Sequence, residues 1–259
     1  MEIDLSKLKN KKFMVATPMY AGNSTYSYTS SMLKLVGLCY RYGLDFGFEF
    51  IYNESLITRA RNNLSRKFLA NKDFDVLVFI DSDIEFDAGD LIAMFYLAAT
   101  EEDKGIVGAP YPSKQIRWDF IKKAFENGEI KEEQDVVNNS VAFVGDFFVD
   151  EKRAIFLDRP EKIGELGTGF MAIRRDTMEK IIKANPERFY ATEFGEKTFD
   201  FFPVGIDIES NRYISEDFAF CKMAREAGVQ PWILPWVKLK HLGAHIFEGD
   251  FATFLKNIS

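Results

Sequence analysis

The sequence predicts an α/β fold in which a mostly parallel central sheet is flanked by helices on both faces. Nearly half of the 259 residues are apolar, which is enough for one large core. Strand-like and helix-like segments alternate along the first half of the chain, a pattern typical of parallel strands joined by helical crossovers. The run Val76–Ile80 is apolar at every position, as expected for a strand buried on both faces.

The elements of the first half follow from periodicity and from end signals. Phe46, Phe48 and Phe50 alternate onto one face, as in a strand, and Gly43 is a typical helix end. The predicted strands are 12–17, 46–52, Val76–Ile80 and 106–109. The predicted helices are 27–42, 54–70 and Ala88–Thr100.

The second half is less regular, and its elements are expected to extend the same sheet. The predicted strands are 170–173, 232–234 and 237–239, and the predicted helices are 176–184 and 216–227. Gly228 ends the second of these helices, and Pro235 separates the last two strands. The charged stretch 126–135 is expected to be a surface loop or a helix end.

Charge and composition narrow the function classes. The formal net charge is −7, which does not suit non-specific adhesion to nucleic-acid phosphates. Cys39 and Cys221 lack metal-site spacing, so we expect two free buried thiols in a reducing compartment. The sequence contains no run of about 18 apolar residues, so we expect no membrane span. The polar start 1–12 lacks the apolar stretch of a signal peptide. These features predict a cytoplasmic protein.

The first candidate for chemistry is Asp81-Ser82-Asp83, which directly follows the apolar run Val76–Ile80. Ligands of open α/β sheets gather beyond the carboxyl ends of the strands. Two carboxylates one residue apart suit Mg²⁺ or Mn²⁺ bound to a diphosphate there. The alternative is structural, with Asp81 capping the next helix or the acids forming a plain acidic loop.

Two more segments are expected at the same edge of the sheet. Their candidate residues are Thr17, Pro18 and Tyr20 after the first strand, and Arg59, Arg61 and Asn62 on the helix after the second strand. The two arginines cannot both face the core, so at least one is free to meet a phosphate or an aspartate. Tyr20 can stack on a nucleobase, and Asn62 can bind a base edge. The alternatives are a surface aromatic ring beside a turn and arginines paired with surface acids.

Two loops in the middle of the chain add candidates. Lys114 ends a turn that two prolines fix, where its ammonium can neutralise a leaving diphosphate; a solvated lysine is the alternative. Gly167 and Gly169 bracket Thr168 and permit close approach of a ligand to the backbone. A simple turn before a strand also explains these glycines.

The last candidates are Glu216 and Asp217, which follow Ser215, and His241, which follows the last strand. A serine N-cap with acids in the first turn is good helix chemistry without any function. The acid pair can equally supply a carboxylate to an acceptor hydroxyl. His241 is either a core histidine or a metal ligand, and Gly243 leaves room for a ligand beside it.

The ordered set of motifs resembles the GT-A-fold glycosyltransferases, in particular compact enzymes of phages, large viruses and bacteria. The motifs are Ser-Leu-Ile-x-x-Ala-Arg-Asn, Phe-Ile-Asp-Ser-Asp, Gly-Ala-Pro-Tyr-Pro-x-Lys, Gly-Thr-Gly-Phe, Ser-Glu-Asp-x-x-Phe and His-x-Gly. They run from about Lys12 to Asp250. No single motif is specific, but the ordered set is.

The resemblance implies one GT-A-like, Rossmann-like domain over 1–259. Residues 12–114 would form the nucleotide-sugar-binding half, and 115–259 the acceptor-side half with a C-terminal tail. By the same resemblance, the first strand and the Arg-Asn helix hold the nucleotide, and the Asp-x-Asp segment holds ribose and metal. The implied metal ligands are Asp81, Asp83 and His241, and the implied catalytic pair is Glu216 and Asp217. Mn²⁺ is favoured over Mg²⁺ because an imidazole joins the carboxylates.

These features predict a metal-assisted glycosyltransferase that uses a nucleoside-diphosphate sugar, with a UDP-sugar favoured. The acceptor stays open among a polysaccharide, a protein, a small molecule and a hydroxymethylated base in phage DNA. One alternative is a nucleotidyltransferase acting on sugar phosphates, which usually has a Gly-rich basic loop after the first strand. Residues 20–25 contain one glycine and no Lys or Arg. The other alternative is a non-catalytic binder of nucleotide sugars or carbohydrates.

Overall fold

The computed structural model describes residues 3–147, 155–208, 211–243 and 245–258. The strands in these ranges are β1 (Lys12–Met19), β2 (Asp45–Tyr52), β3 (Val76–Ile80), β4 (Ile84–Glu85), β5 (Ile106–Gly108), β6 (Glu161–Lys162), β7 (Phe170–Arg174), β8 (Phe189–Ala191), β9 (Lys197–Phe199), β10 (Gly205–Asp207), β11 (Arg212–Ile214), β12 (Pro231–Ile233), β13 (Lys240–Leu242) and β14 (Ile246–Glu248). The α-helices are α1 (Tyr26–Tyr42), α2 (Ile57–Ala70), α3 (Ala88–Thr100), α4 (Trp118–Glu126), α5 (Glu133–Asn138), α6 (Arg175–Ala184), α7 (Glu216–Glu226) and α8 (Phe251–Ile258).

Seven strands form the central sheet in the order β2-β1-β3-β7-β5-β12-β6. β2, β1 and β3 are parallel to one another, and β12 is parallel to β5. β7 is antiparallel to both β3 and β5, and β6 is antiparallel at one edge of the sheet. The sheet is therefore mostly parallel, as predicted, and the carboxyl ends of β1, β3 and β5 lie at the same edge.

Helices cover both faces of this sheet, which confirms the predicted fold class. On one face, α1 and α3 pack in an apolar cluster that includes Phe13 and Val15 of β1. On the other face, side chains of α2, α6, α7 and α8 pack in a second cluster with Met14 and Ala16. Successive side chains of a strand point to opposite faces, so β1 contributes to both clusters by simple alternation.

Two consecutive arginines anchor one helix on each face. Arg174 donates hydrogen bonds to the carbonyls of Ala98, Glu101 and Glu102 at the end of α3. Arg175 does the same around the end of α2, where it binds the carbonyls of Phe68, Leu69, Asn71 and Phe74. A cation at a helix C-terminus also interacts favourably with the helix dipole. The point where β7 passes into α6 therefore fixes the ends of two helices opposite the candidate site.

Three details differ from the sequence prediction. Residues 237–239 are not a strand, because the amide of Val237 bonds to the carbonyl of Leu234 in a turn. Val237 and Leu239 are nevertheless buried, so their alternation reflects core packing; strand pairing starts only where Lys240 meets β4. The sequence analysis does not predict helices α4 and α5, although the stretch 126–135 is, as predicted, a surface loop with helix ends. The predicted strand 170–173 is present, but it is the antiparallel strand β7.

Two further expectations concern the cysteines and the membrane. Cys39 and Cys221 are buried and free, as predicted, and burial raises the pKa of each thiol to about 12. Thiols with such a pKa stay protonated and unreactive at neutral pH. None of the helices in the described ranges combines the length and apolar character that crossing a membrane requires.

The first prediction concerns the arginine that anchors α2. Arg175→Met keeps the stem but leaves several carbonyls without their charged donor, so we expect a loss of about 2–3 kcal/mol in the free energy of unfolding. Urea denaturation measures this loss. The control is Arg41→Met, since Arg41 is exposed on α1 and its replacement should change stability by less than about 0.5 kcal/mol. A loss no greater than that of the control would contradict the anchoring role.

Candidate active site

The candidate site lies at the edge of the sheet where β1, β3 and β5 end. Asp81 follows β3 directly, and its amide donates a hydrogen bond to the carbonyl of Gly169, 2.9 Å away. A small sheet, β14-β13-β4, adds the late part of the chain to this edge. In it His241 is opposite Ile84, and the amide of Leu242 bonds to the carbonyl of Asp83 at 2.8 Å. The fold thereby places His241 beside the Asp-x-Asp segment.

Arg61 is the buried cation of the site, only 2% exposed on the inner face of α2. Its Nη2 lies 3.1 Å and 3.3 Å from the two carboxylate oxygens of Asp81. Its Nε lies 4.0 Å from Oε1 of Glu216 and 3.9 Å from Oδ1 of Asp217. Burial opposes the charged form of Arg61, but Asp81 and Asp217 outweigh it, so its pKa is raised. The arginine therefore remains charged between three carboxylates.

Several polar atoms of this cluster have no hydrogen-bond partner among the residues that the structure describes. They are Nε and Nη1 of Arg61 and Oδ1 of Asp81, which lies near Nη2 without hydrogen-bond geometry. An unsatisfied buried polar group costs about 1–3 kcal/mol, so native proteins keep few of them.

Glu216 and Asp217 open α7 within reach of Arg61. Asp217 is buried and accepts a short hydrogen bond from the hydroxyl of Thr168, which is itself fully buried. Burial raises the pKa of both carboxyls, and their mutual repulsion adds to the effect on Glu216. Ser215 occupies the N-cap position, but its side chain makes no capping hydrogen bond. The serine cap is therefore missing, but both acids lie in the first turn of α7, where the helix dipole favours negative charge.

The glycines on either side of Thr168 make room for a protein side chain. A Cβ on Gly167 would lie 2.2 Å from the hydroxyl of Tyr111, and one on Gly169 would lie 3.0 Å from Oδ2 of Asp81. The amide of Gly169 donates to the Tyr111 hydroxyl at 3.3 Å. The sequence predicted that Gly167 and Gly169 leave room for a ligand. In the structure, the side chains of Tyr111 and Asp81 lie close to these glycines.

Asp83 binds two basic side chains at once. Its Oδ1 lies 3.3 Å from Nε2 of His241, and its Oδ2 contacts the ammonium of Lys114. Burial opposes the charge of Asp83, but hydrogen bonds from His241 and Lys114 prevail and lower its pKa. Nδ1 of His241 lies 2.9 Å from the carbonyl of Pro112. Because a carbonyl only accepts, Nδ1 carries a proton and Nε2 faces the carboxylate.

The other predicted residues lie around this centre with varied surroundings. Arg59 is on the surface and pairs with Glu54. This ion pair with a surface acid is the alternative that the sequence left open for Arg59. Asn62 is buried; its amide oxygen accepts from the backbone amides of Phe201 and Phe202, and its nitrogen donates to Asp200. Asn62 is therefore committed to holding the 200–202 loop, which leaves no free edge for a base.

The predicted residues at the end of β1 and just after it differ in exposure. The hydroxyl of Thr17 is buried and lies 2.7 Å from that of Tyr28, Pro18 is partly buried within β1, and Tyr20 is 69% exposed. The carbonyl of Ser82 accepts bonds from Thr25 at the start of α1. Of these residues, Tyr20 presents its side chain most openly.

Sequence reasoning missed two aromatic residues here. Tyr111 is buried in the Pro-Tyr-Pro turn, with its ring edge-to-face against His241 at 5.4 Å. Burial raises its pKa well above the usual value, so the phenol stays neutral. Tyr52 ends β2 opposite Met19 and is as exposed as Tyr20. The position of Tyr111 inside the Gly-Ala-Pro-Tyr-Pro motif was the available signal; for Tyr52 the sequence offers none.

The donor set fits a small divalent cation in part. Within the described ranges, no group of three or more His, Cys, Asp or Glu side chains is arranged to hold a metal ion. Asp81, Asp83 and His241 therefore do not form a ready three-residue cluster. Asp83 and His241 alone do fit, since two ligand atoms of one ion can lie about 3 Å apart. A carbonyl on the far nitrogen of the imidazole, as Pro112 provides, is the usual support of a metal-binding histidine.

Comparison with known proteins gives only distant structural similarity. No protein-family model matches the chain, and no curated protein matches it in sequence. The A197 protein from STIV is 15% identical over 92% of this chain and 94% of its own, with a TM-score of 0.49. A glycosyltransferase involved in the glycosylation of the major capsid of PBCV-1 is 10% identical over 68% and 67%, with a TM-score of 0.33. GalNAc-T7, solved with UDP, GalNAc and Mn²⁺, is 10% identical over 90% of this chain and 44% of its own, with a TM-score of 0.45. All three scores are below 0.5, so the function of this chain rests on its own site.

The second prediction concerns the buried acid Asp217. Its pKa is raised on folding, so its contribution to stability is fully present below the unfolded pKa of about 3.9 and is lost as the pH rises through the folded pKa. Asp217→Asn removes the charge and can still accept from Thr168. We therefore expect the variant to unfold at higher urea than the wild type near pH 7, with a much smaller difference near about pH 4.

The matched control for this measurement is Asp73→Asn, at an exposed position. This substitution should change the urea midpoint little at either pH, because replacing an exposed side chain usually changes the free energy of unfolding little. A variant of Asp217 that is less stable than the wild type at both pH values would show that the ionised carboxylate stabilises the fold, contrary to the structure.

Proposed function

We propose that this chain is a glycosyltransferase that takes a sugar from a nucleoside-diphosphate donor, with UDP favoured as the nucleotide. The observation that carries the proposal is the bridge made by Arg61 between Asp81 after β3 and the acid pair at the start of α7. The groups around Asp81 suit a diphosphate and its cation, and the acid pair at the start of α7 suits a hydroxyl acceptor. Both sets open on the edge where ligands of α/β sheets gather.

On the nucleotide-sugar side, Asp83 and His241 would hold a divalent cation. Such an ion supplies Lewis-acid stabilisation of the charge that grows on a departing diphosphate. Mn²⁺ suits this mixed imidazole and carboxylate set better than Mg²⁺ does. Tyr20 and Tyr52, both exposed at the ends of neighbouring strands, would provide a stacking surface for the nucleobase.

On the acceptor side, the two carboxyls would have different roles. Asp217 is held by Thr168 inside the protein, so we assign it to positioning. Glu216 is only partly buried, and burial, with repulsion from Asp217, raises its pKa above that of an ordinary glutamate, which makes its carboxylate a stronger base. In a transfer with inversion, Glu216 would accept the proton of the attacking acceptor hydroxyl, while Arg61 keeps the pair from accumulating uncompensated charge. Thr168, Gly167 and Gly169 would shape this side through Tyr111 and Asp217.

The third prediction tests the proposed function with a panel of nucleotide sugars and Mn²⁺. A donor that binds only the folded state raises the melting temperature, so at least one donor, expected to be a UDP-sugar, should do so only when Mn²⁺ is present. His241→Ala should weaken this binding by at least about tenfold, or roughly 1.4 kcal/mol, because the imidazole is lost from the cation site. Calorimetry measures the affinity.

His245→Ala is the control, since His245 is exposed and its ring packs on Phe247; its donor affinity should equal that of the wild type. If His241→Ala lowers the melting temperature but leaves Mn²⁺ dependence intact, His241 is a core histidine and the cation site is wrong. If the chain instead forms nucleotide sugars from nucleoside triphosphates and sugar phosphates, it is a nucleotidyltransferase and the proposed function is wrong.

A further inference from the structure

Lys114 occupies an unusual position in the candidate site, because it contacts the carboxylate that would bind the cation. Its ammonium contacts Oδ2 of Asp83, while His241 approaches Oδ1 of the same group. The same short loop also presents the carbonyl of Pro112 to the far side of the His241 ring. The loop that orients the imidazole therefore also neutralises its carboxylate neighbour.

The backbone around Lys114 is fixed, whereas its side chain can move. Pro110 and Pro112 restrict the turn, and the amide of Ser113 bonds to the carbonyl of Ala142 at 2.7 Å. The side chain of Lys114 is 37% exposed, and a lysine has a flexible four-carbon stem. A Cβ on Gly243 would lie 3.2 Å from Cδ of Lys114, so this glycine leaves space for the stem. Rotation about the bonds of this stem can move the ammonium away from Asp83 without any change in the loop.

We infer that Lys114 competes with the divalent cation for Asp83 and, once displaced, binds the diphosphate of the donor. The inference rests on the proposed function and adds an order of binding, in which the cation binds before the nucleotide. A divalent ion held by Asp83 and His241 repels an ammonium at Oδ2 and takes over its role as counter-charge. The displaced ammonium stays within reach of the same place, where a diphosphate brought in with the cation supplies new negative charge.

This exchange gives Lys114 opposite effects on two binding steps. Its charge weakens binding of the cation alone, because the cation must break the contact with Asp83. The same charge strengthens binding of a diphosphate to the cation-loaded protein, because the ammonium then has an anionic partner. A lysine that only holds the loop in place would change both affinities in the same direction or neither of them.

The test measures both steps for Lys114→Gln in the full chain. Binding of Mn²⁺ alone is measured by electron paramagnetic resonance. Mn²⁺ should bind to Lys114→Gln about two- to fivefold more tightly than to the wild type, since a partly exposed ion pair is worth at most about 1 kcal/mol. UDP, titrated by calorimetry at saturating Mn²⁺, should bind at least about threefold more weakly. Lys114→Arg keeps the charge and should bind Mn²⁺ as weakly as the wild type does.

Lys34→Gln is the matched control, because Lys34 is exposed on α1 and its loss changes the net charge equally. It should leave both affinities unchanged. Unchanged or weaker Mn²⁺ binding by Lys114→Gln would overturn the exchange, even if wild type binds Mn²⁺ and UDP. A wild-type chain that binds neither Mn²⁺ nor a nucleotide sugar would instead overturn the proposed function, and the exchange with it.

Discussion

The buried guanidinium of Arg61 is the interaction on which the rest of the site depends. Three carboxylates, on Asp81, Glu216 and Asp217, lie within about 4 Å of its nitrogens, and they come from segments far apart in sequence. Carboxylates placed so close inside a protein repel one another and lose hydration. A permanently charged arginine makes the arrangement tolerable, while burial still raises the pKa of both acids of the pair.

The neutral residues of the site follow from this concentration of charge. Thr168 donates to Asp217 and thereby fixes one of the two acids. Tyr111 fills the space between the Gly-Thr-Gly segment and His241, and only glycine on either side of Thr168 admits its ring. Among the described residues, Nε and Nη1 of Arg61 and Oδ1 of Asp81 have no hydrogen-bond partner. Part of the stability of the fold is therefore given up at the place where chemistry is proposed, as is common at active sites.

Local patterns in the sequence were enough to predict most of the fold. Period-2 alternation and uninterrupted apolar runs mark β1, β2 and β3, and Gly43 and Gly228 mark the ends of α1 and α7. The rule that ligands collect at the carboxyl ends of parallel strands led to Asp81 and Asp83 before any contact was known. The strand predicted at 237–239 was wrong because alternation reports burial, whereas pairing with β4 depends on a distant part of the chain.

The partners of the charged residues were not predictable in this way. The sequence left open whether Arg59 or Arg61 turns inward, and only packing of α2 on the sheet decides it. The partners of Asn62 lie 138 to 140 positions further along the chain. His241 reaches Asp83 through a small sheet that no local pattern predicts, and Lys114 reaches it from the loop after β5. The role of a single residue therefore depends on its contacts, even where the sequence predicts the residue itself.

The most direct measurement of the central claim is a double-mutant cycle between Arg61 and Asp81, read as free energies of unfolding. Arg61→Met strands three carboxylates and should cost about 3–5 kcal/mol. If Arg61 compensates their charge, adding Asp81→Asn should recover part of that loss, with a coupling energy of at least about 1 kcal/mol. Strictly additive effects of the two substitutions would contradict the claim that this ion pair holds the two sides of the site together.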